Sequence, residues 1–484
     1  MSVVTLFPRN IIQNKLFKGV KSELENLGCK VNLIRLDLDE NEKDTFFIEK
    51  NFDKFFYKIK LSQEIKRLEL EYKDVDFNRL IQSEREFSYY PHYFSDQPVS
   101  RDTKYRYMVC LFKVFESYVQ DIQPDYIFSE MVTGLVDGVL YEVSKKCNVK
   151  YIGIRPSKIG RGVVFCDNLY DRPIGFNFKV EGYRENSIPT SILSNAKNHI
   201  KELRLKLERP HYMEVSQNKH KIFTLKKIKT MLNRYFLDRP KYSKYSLYQH
   251  PFLNPIRENL IKYKNKSKYI FHDRQVEELI ENEDSYFLYP AHFEPEASIS
   301  VRAFYNSDQL CFVKMISKIL PLGATLIVKE HRGNDGFRLP IFYNEISHFP
   351  NVMIASPEFD TYKLLKKSTA ILVLTGRMGW EGIVNHVPVI AFGDTFWSGS
   401  KYALRSDNIY ELKSLIYKLY KGDCLLNIDE KDIVAIAAAY IDLSWRGNFV
   451  HGSKDFLTIN NYHNIALAID RITSSLTQVE GISS

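Results

Sequence analysis

Four short apolar runs in the second half of the chain each end in a polar cluster. SYFLY (285–289) leads into Pro290-Ala291-His292-Phe293-Glu294-Pro295-Glu296. ATLIVK (324–329) closes on Lys329-Glu330-His331-Arg332-Gly333, with Arg338 just beyond. AILVL (370–374) is followed by Thr375-Gly376-Arg377-Met378-Gly379-Trp380-Glu381-Gly382, and VIAF (389–392) by Gly393-Asp394. These residue types suit a site that stabilises a phosphate leaving group, which needs cations or N–H donors where negative charge develops. Lys329, His331 and Arg332 are side-chain candidates, and Arg338 is a further candidate for binding the donor nucleotide. The Thr375–Gly379 turn, opening a helix, offers backbone N–H groups and a helix N-terminus. Glu381, about a turn further on, can accept hydrogen bonds from ribose hydroxyls. Each feature also has a structural reading: a tight, closely packed strand-to-helix turn for Gly376, Gly379 and Gly382, a satisfied structural histidine for His331, and a hydrogen-bonded loop for His292 and Glu296.

Those clusters need strands to carry them, and the pattern supplies strands. Ser2–Phe7 reads as a strand, Ile11–Leu27 as a helix stopped at Gly28, and Lys30–Leu36 as a second strand. Residues 45–120 read as mostly helical. Asp125–Ser129, Lys150–Ile154 and Gly162–Cys166 are strands, with a helix over Val132–Lys146. The alternation resumes at Ser285–Tyr289 and continues through Ala324–Lys329, Val352–Ala355, Ala370–Leu374 and Val389–Phe392, with helices over Asp308–Leu320, Thr361–Lys367 and Met378–Asn385. Ile409–Lys421 and Asp432–Leu443 are closing helices. Strands alternating with helices predict parallel sheets, and ligands bind beyond the carboxyl ends of such strands. A chain of 484 residues exceeds what one core supports, so two α/β blocks are expected. The predicted boundaries are 1–185, a basic helical insertion at 186–275, 276–430, and a helical tail at 431–484.

Charge is concentrated in that insertion. Residues 196–270 hold 19 Lys+Arg against 5 Asp+Glu, whereas the whole chain is only +9. Leu225, Ile228, Met231, Leu232 and Phe236 beside Lys226, Lys227 and Lys229 have the spacing of a basic amphipathic helix. A solvated face, an anionic membrane surface and nucleic acid are the competing readings. No recognition motif supports nucleic acid, so it is not expected as a partner. The six cysteines (Cys29, Cys110, Cys147, Cys166, Cys311, Cys424) lie far apart, which argues against a disulfide framework or a zinc site. Two Asp-x-Asp matches, Asp37/Asp39 and Asp74/Asp76, sit in acidic stretches and are not expected to hold metal. There is no GxGxxG turn or Walker lysine loop, and no cofactor is expected. No apolar run is long enough to span a membrane, and the N-terminus lacks the pattern of a signal peptide. The expected location is cytoplasmic, with peripheral attachment to the inner face of the cell membrane through 196–270.

YPAHFEPEAS, then VKEH, then PNVMIASPEFDTYKLLKKSTAILVLTGRMGWEGI and PVIAFG together resemble the capsule polysaccharide biosynthesis family. The resemblance covers mainly Ser285–Asp394 and more weakly Pro124–Asn168. It implies a GT-B-like architecture of two Rossmann-like domains facing a central cleft, the second binding the donor. The activity it implies is that of a metal-independent glycosyltransferase moving a sugar, such as Kdo, from a CMP-activated donor to a glycan or lipid-linked acceptor in bacterial surface polysaccharide assembly. His331 resembles the histidine of the family's His-Pro motif, with Arg332 in the proline's place. Thr375 and Gly376 match its phosphate turn and Glu381 its following acidic position, while His292, Glu294 and Glu296 match its HFxPE segment, whose side chains would face the cleft, with His292 and Glu296 as candidate catalytic residues. The resemblance places the general base in the first domain. Glu130, ending the DYIFS strand, is the first candidate and Asp137 a weaker one. Arg155 and Arg161 are candidates for binding an acidic acceptor. A CDP-polyol phosphotransferase, a nucleotide-sugar epimerase and a non-catalytic binding protein of an export assembly are the alternatives.

Overall fold

The computed structural model describes residues 2–36, 45–84, 87, 99–205, 254–294, 296–334, 336–424 and 427–483. The chain forms two compact α/β units. One comprises Met1–Leu169 and Asp442–Ser484, the other Tyr170–Glu208 and Arg257–Ile441, among the described residues.

The first unit is built on six strands: β1 (Val3–Phe7), β2 (Lys30–Arg35), β3 (Thr45–Phe47), β4 (Tyr126–Glu130), β5 (Lys150–Pro156) and β6 (Val163–Cys166). Their order is β3-β2-β1-β4-β5-β6. β1 through β5 run parallel, because helices such as Ile11–Asn26 and Leu135–Lys146 supply the crossovers. β6 is antiparallel to β5. The loop at 157–162 is too short for a crossover, which takes about a dozen residues, and so returns as a hairpin. Asn10 caps the first helix by accepting from the N–H groups of Ile12 and Gln13. The region expected to be mostly helical holds the helices Leu61–Glu71, Phe77–Ser83 and Arg101–Ile122, and also the edge strand β3. Asp76 caps the second of these through the Arg79 N–H, a structural use of one Asp-x-Asp match. Asp37 and Asp39 lie outside the described residues.

The second unit repeats the plan with β7 (Tyr286–Pro290), β8 (Thr325–Lys329), β9 (Val352–Ala355), β10 (Ala370–Val373), β11 (Val389–Ala391) and β12 (Ala403–Leu404). The order β12-β11-β10-β7-β8-β9 is the first unit's order read from the other edge, and every pairing is parallel. Strand sides and helix faces share a core that includes Phe287, Tyr289, Phe312, Val328, Tyr343 and Leu372. In both units the strand order reverses beside the first strand, so the switch points lie between β1 and β4 and between β7 and β10.

The boundaries differ from those expected. Residues 170–185 join the second unit, because Phe176 packs on Phe396 and Tyr440 and Arg184 pairs with Asp432 at 3.0 Å. The tail divides as well. The helix Glu430–Asp442 closes the second unit, and the remainder returns to the first. There Trp445 exchanges backbone hydrogen bonds with Val163 at 2.8 and 3.0 Å, and the Tyr126 hydroxyl donates to the Thr473 carbonyl. Gly19 admits the Tyr462 ring so closely that a Cβ would lie 2.3 Å from it. Of the basic insertion, Thr190–Arg204 and Asn254–Lys266 are helices, while the amphipathic pattern at 225–236 lies outside the described residues. No helix among the described residues is long and apolar enough to cross a membrane.

Candidate functional site

Four neighbouring parallel strands, β11, β10, β7 and β8, bring their carboxyl ends to one edge of the second sheet. At the switch point the Thr375 N–H donates to His292 Nε2 at 3.4 Å, which assigns the neutral His292 proton to Nδ1. The Thr375 hydroxyl donates to the Ser298 carbonyl at 3.1 Å. Gly376 follows as the N-cap of the helix Arg377–Val384, and a Cβ there would lie 3.3 Å from His292 Cε1. The helix N-terminus therefore starts directly against the histidine ring.

The His292 backbone is held from three elements. Its carbonyl accepts from Arg338 Nη2 at 2.7 Å, Asn334 Nδ2 at 2.9 Å and Gln309 Nε2 at 3.2 Å. Its N–H donates to Gln309 Oε1, which also takes the Tyr289 hydroxyl. Gln309 was not singled out by sequence reasoning; a buried glutamine opening an apolar helix was the available signal.

His331, after β8, is exposed and carries a defined tautomer. Its Nδ1 accepts the Gly333 N–H at 3.0 Å, so the neutral ring keeps its proton on Nε2 as a donor. Gly333 allows this because a Cβ would meet Phe293 at 2.9 Å and His331 Nδ1 at 3.0 Å. The protein around the imidazole disfavours its charge and lowers its pKa, against the opposing pull of Glu296 and Glu330. Burial would raise the Glu296 carboxyl, but His292, the Ser298 hydrogen bond, Arg302 and His331 outweigh it and hold it below its usual value. Glu296, His292 and His331 thus form one electrostatic cluster.

Two predicted phosphate ligands are engaged elsewhere. Lys329 is buried, and its ammonium donates to the Ser356 carbonyl at 2.7 Å and the Glu330 carbonyl at 3.1 Å, tying β8 to the end of β9. Burial chiefly lowers its pKa to about 8. Arg338 is buried beneath the loop and binds Glu330 at 2.7 Å and Glu294 at 3.2 Å. Burial opposes its charge, but the two carboxylates prevail and raise its pKa. Burial also acts against Glu330, yet Arg338, Asn334 and Tyr343 hold that carboxyl below its usual range. Both cations organise the clusters from inside. Gly379 has a packing role: a Cβ would lie 2.2 Å from the Trp397 ring. Glu381 is partly exposed and pairs with Arg377 at 3.2 Å. Asp394, after β11, pairs with Arg405 at 2.5 Å.

In the first unit, Glu130, Arg155 and Arg161 share the carboxyl edge of the sheet, with Arg161 exposed in the β5–β6 loop. Glu130 Oε2 accepts from Gln13 Nε2 at 2.7 Å, and the Gln13 Oε1 takes the Arg9 N–H. Arg155 Nη1 lies 3.7 Å from the Met131 sulfur. Asp137 is fully buried, accepts the N–H groups of Thr133 and Gly134, and pairs with Arg9 at 3.4 Å. Its position inside the helix cap makes it structural. Burial raises its pKa despite Arg9.

The family model for "Capsule polysaccharide biosynthesis protein" matches residues 196–402, a segment that holds every candidate residue of the second unit. The resemblance to the capsule polysaccharide biosynthesis family read from the sequence therefore holds over that segment. No curated protein matches the chain. Among solved structures, it is similar to the KpsC beta Kdo 2,7 transferase of Thermosulfurimonas dismutans, at 12% identity and TM-score 0.40, covering 96% of this chain and 99% of that one. The beta Kdo 2,4 transferase of the same organism matches at 11% identity and TM-score 0.34, over 70% and 87% of the two chains. The UDP-GlcNAc 2-epimerase of Methanocaldococcus jannaschii matches at 12% identity and TM-score 0.24, over 97% and 100%.

Proposed function

We propose that this chain is a metal-independent glycosyltransferase of surface polysaccharide assembly, whose second unit binds a nucleotide-sugar donor. The observation that carries the reading is the His331 ring at the end of β8, with Nδ1 held by the Gly333 N–H and the neutral ring's proton therefore on Nε2. A phosphate there would draw a proton onto His331 and receive a charge-assisted hydrogen bond as the anomeric C–O bond breaks. The N-terminus of the helix Arg377–Val384 adds backbone donors and its dipole, and Glu381 reaches the ribose. His292 sets the position of the Thr375–Gly376 turn. A CMP-linked 2-keto sugar acid is the proposed donor, and a glycan or lipid-linked glycan the acceptor, with Arg155 and Arg161 meeting its acidic groups. The basic stretch 196–270 would attach the protein to an anionic membrane surface, where each Lys or Arg contributes ~1 kcal/mol.

Thermal shift and calorimetry with CMP, CDP, UDP and GDP test the donor site. A ligand at 100-fold excess over Kd stabilises the native state by about 2.7 kcal/mol. Preferential stabilisation by CMP, lost in His331→Ala, is expected. A preference for CDP or UDP changes the donor, and no response to any nucleotide overturns the reading. Turnover of donor alone to an isomeric nucleotide sugar would identify an epimerase. Cosedimentation with phosphatidylglycerol vesicles, absent with phosphatidylcholine, is the expected membrane result.

A further inference from the structure

The helix Arg377–Val384 has only 8 residues. Two turns are about 12 Å long and hold no direction in water by themselves, so the aim of this helix comes from what packs on it. One side lies on the sheet: a Cβ on Gly382 would be 2.6 Å from Ile371 and 2.7 Å from Val389. Trp380, about 200° around the helix from Gly382, packs instead on the helix Thr190–Arg204. The rings of Trp380 and His199 stack at 8° between planes with centroids 6.4 Å apart, and the indole N–H donates to His199 Nε2 at 3.1 Å. Both side chains are buried, where an indole N–H without an acceptor is costly. The neutral imidazole therefore carries its proton on Nδ1. Thr190–Arg204 reaches the far end of the short helix as well. Arg204 Nε donates to the Val384 carbonyl at 3.0 Å, a cation on the helix C-terminus, while Arg204 Nη2 binds Glu430 at 2.8 Å. The buried face of Thr190–Arg204 is Ala196, His199, Ile200 and Leu203, at the i, i+3, i+4, i+7 spacing of an amphipathic helix. The basic stretch thus begins with a helix whose inner face grips the helix that opens at Gly376.

We propose that His199 and Arg204 are positioning residues for the donor, aiming the N-terminus of Arg377–Val384 at the donor phosphate. This rests on the donor-site reading above. The two contacts fix the helix at its middle and at its C-terminal end, and the Thr375–His292 hydrogen bond fixes its start. A tilt of about 10° around the C-terminal end moves the N-terminus of a helix this long by about 2 Å. That exceeds the distance range over which an N–H···O hydrogen bond keeps its strength. His199 and Arg204 act through the helix rather than on the nucleotide. A ring of similar size without an acceptor would leave the buried indole N–H unmet and release the helix from its middle contact. No local pattern marks this pair, because His199 lies 181 positions before Trp380 in a stretch conspicuous only for its charge.

Three variants of the full chain test this. His199→Phe keeps a ring and removes the acceptor, His199→Gln offers an amide oxygen in place of Nε2, and Arg204→Met keeps the stem and removes the guanidinium. Calorimetry, well below each protein's Tm, measures the affinity for whichever of CMP, CDP, UDP and GDP binds wild type most tightly. His199→Phe and Arg204→Met should each weaken binding about tenfold, while His199→Gln stays within about threefold of wild type. A lowered Tm with wild-type affinity in both His199→Phe and Arg204→Met overturns the proposal. Equal losses in His199→Gln and His199→Phe overturn the acceptor role and leave a contact of shape. If His199→Phe does not fold, Arg204→Met carries the same comparison. Amide hydrogen exchange is the second readout. Residues 379–384 should exchange faster in His199→Phe and Arg204→Met than in wild type, with the helix Gln309–Ile319 unchanged. Should wild type bind none of the four nucleotides, the donor reading fails. The exchange comparison then decides whether the two residues hold the helix, and unchanged protection overturns that.

Discussion

The Thr375 N–H and His292 Nε2 meet at 3.4 Å across the switch point of the second sheet, joining the ends of β10 and β7. Two residues 83 positions apart thereby share one hydrogen bond, and the helix that begins at Arg377 is aimed from that contact. The same histidine's carbonyl is held by Gln309, Asn334 and Arg338, so the site's geometry depends on groups that never face a ligand.

Gly333→Ala should weaken nucleotide binding without unfolding the protein. The new methyl would crowd Phe293 and His331 Nδ1 and break the hydrogen bond that sets the tautomer. A loss of about 1–1.5 kcal/mol, roughly tenfold in CMP affinity, is expected by calorimetry. Unchanged affinity would separate the tautomer from binding.

Arg338→Met should be among the most destabilising single changes in the second unit. It leaves Glu330 buried beside Tyr343 without its guanidinium and removes one donor from the His292 carbonyl. Breaking such a buried pair costs about 3–5 kcal/mol. Arg338→Lys should recover little of that, since one ammonium cannot reproduce the planar fork. Thermal denaturation of the three proteins checks both statements.

Acid stability should follow Glu330. Its folded pKa lies below the unfolded value of about 4.3, so the folded state binds fewer protons there. The stabilisation it contributes is fully present above that value and is lost as pH falls through the lowered folded pKa. Glu330→Gln should lower Tm at pH 7 and flatten the fall in Tm below pH 4.3. A parallel curve for the variant would show that other carboxylates control the acid limb.

Gly379→Ala distinguishes packing from phosphate contact. A methyl 2.2 Å from the Trp397 ring must displace a buried indole, at a cost of about 1–3 kcal/mol. Tm should drop, while CMP affinity measured well below the transition stays within threefold. A selective loss of binding would return Gly379 to the phosphate turn.

The repeated alternation of apolar runs and helical patterns made both α/β units legible in the sequence, along with the strand ends that carry His292, His331 and Thr375. Local patterning suffices for this because strand and helix periodicities are properties of short segments. What it left open was partnership. Lys329 and Arg338 read as phosphate ligands, since a cation after a strand looks the same whether it turns outward or into the core. Only folding put Ser356 carbonyl oxygen beside one and Glu330 and Glu294 beside the other.

The return of the chain beyond Asp442 to the first unit had no motif to announce it and shows only in contacts such as the Trp445–Val163 backbone exchange. The sequence by itself determined most of the elements, the parallel pairing of the central strands and the edge at which polar residues collect, but not the edge strands β3 and β12 or the antiparallel pairing of β6. The tertiary structure decided which of those residues present their charge and which are used to hold the others, because burial and long-range hydrogen bonds exist only once distant segments meet.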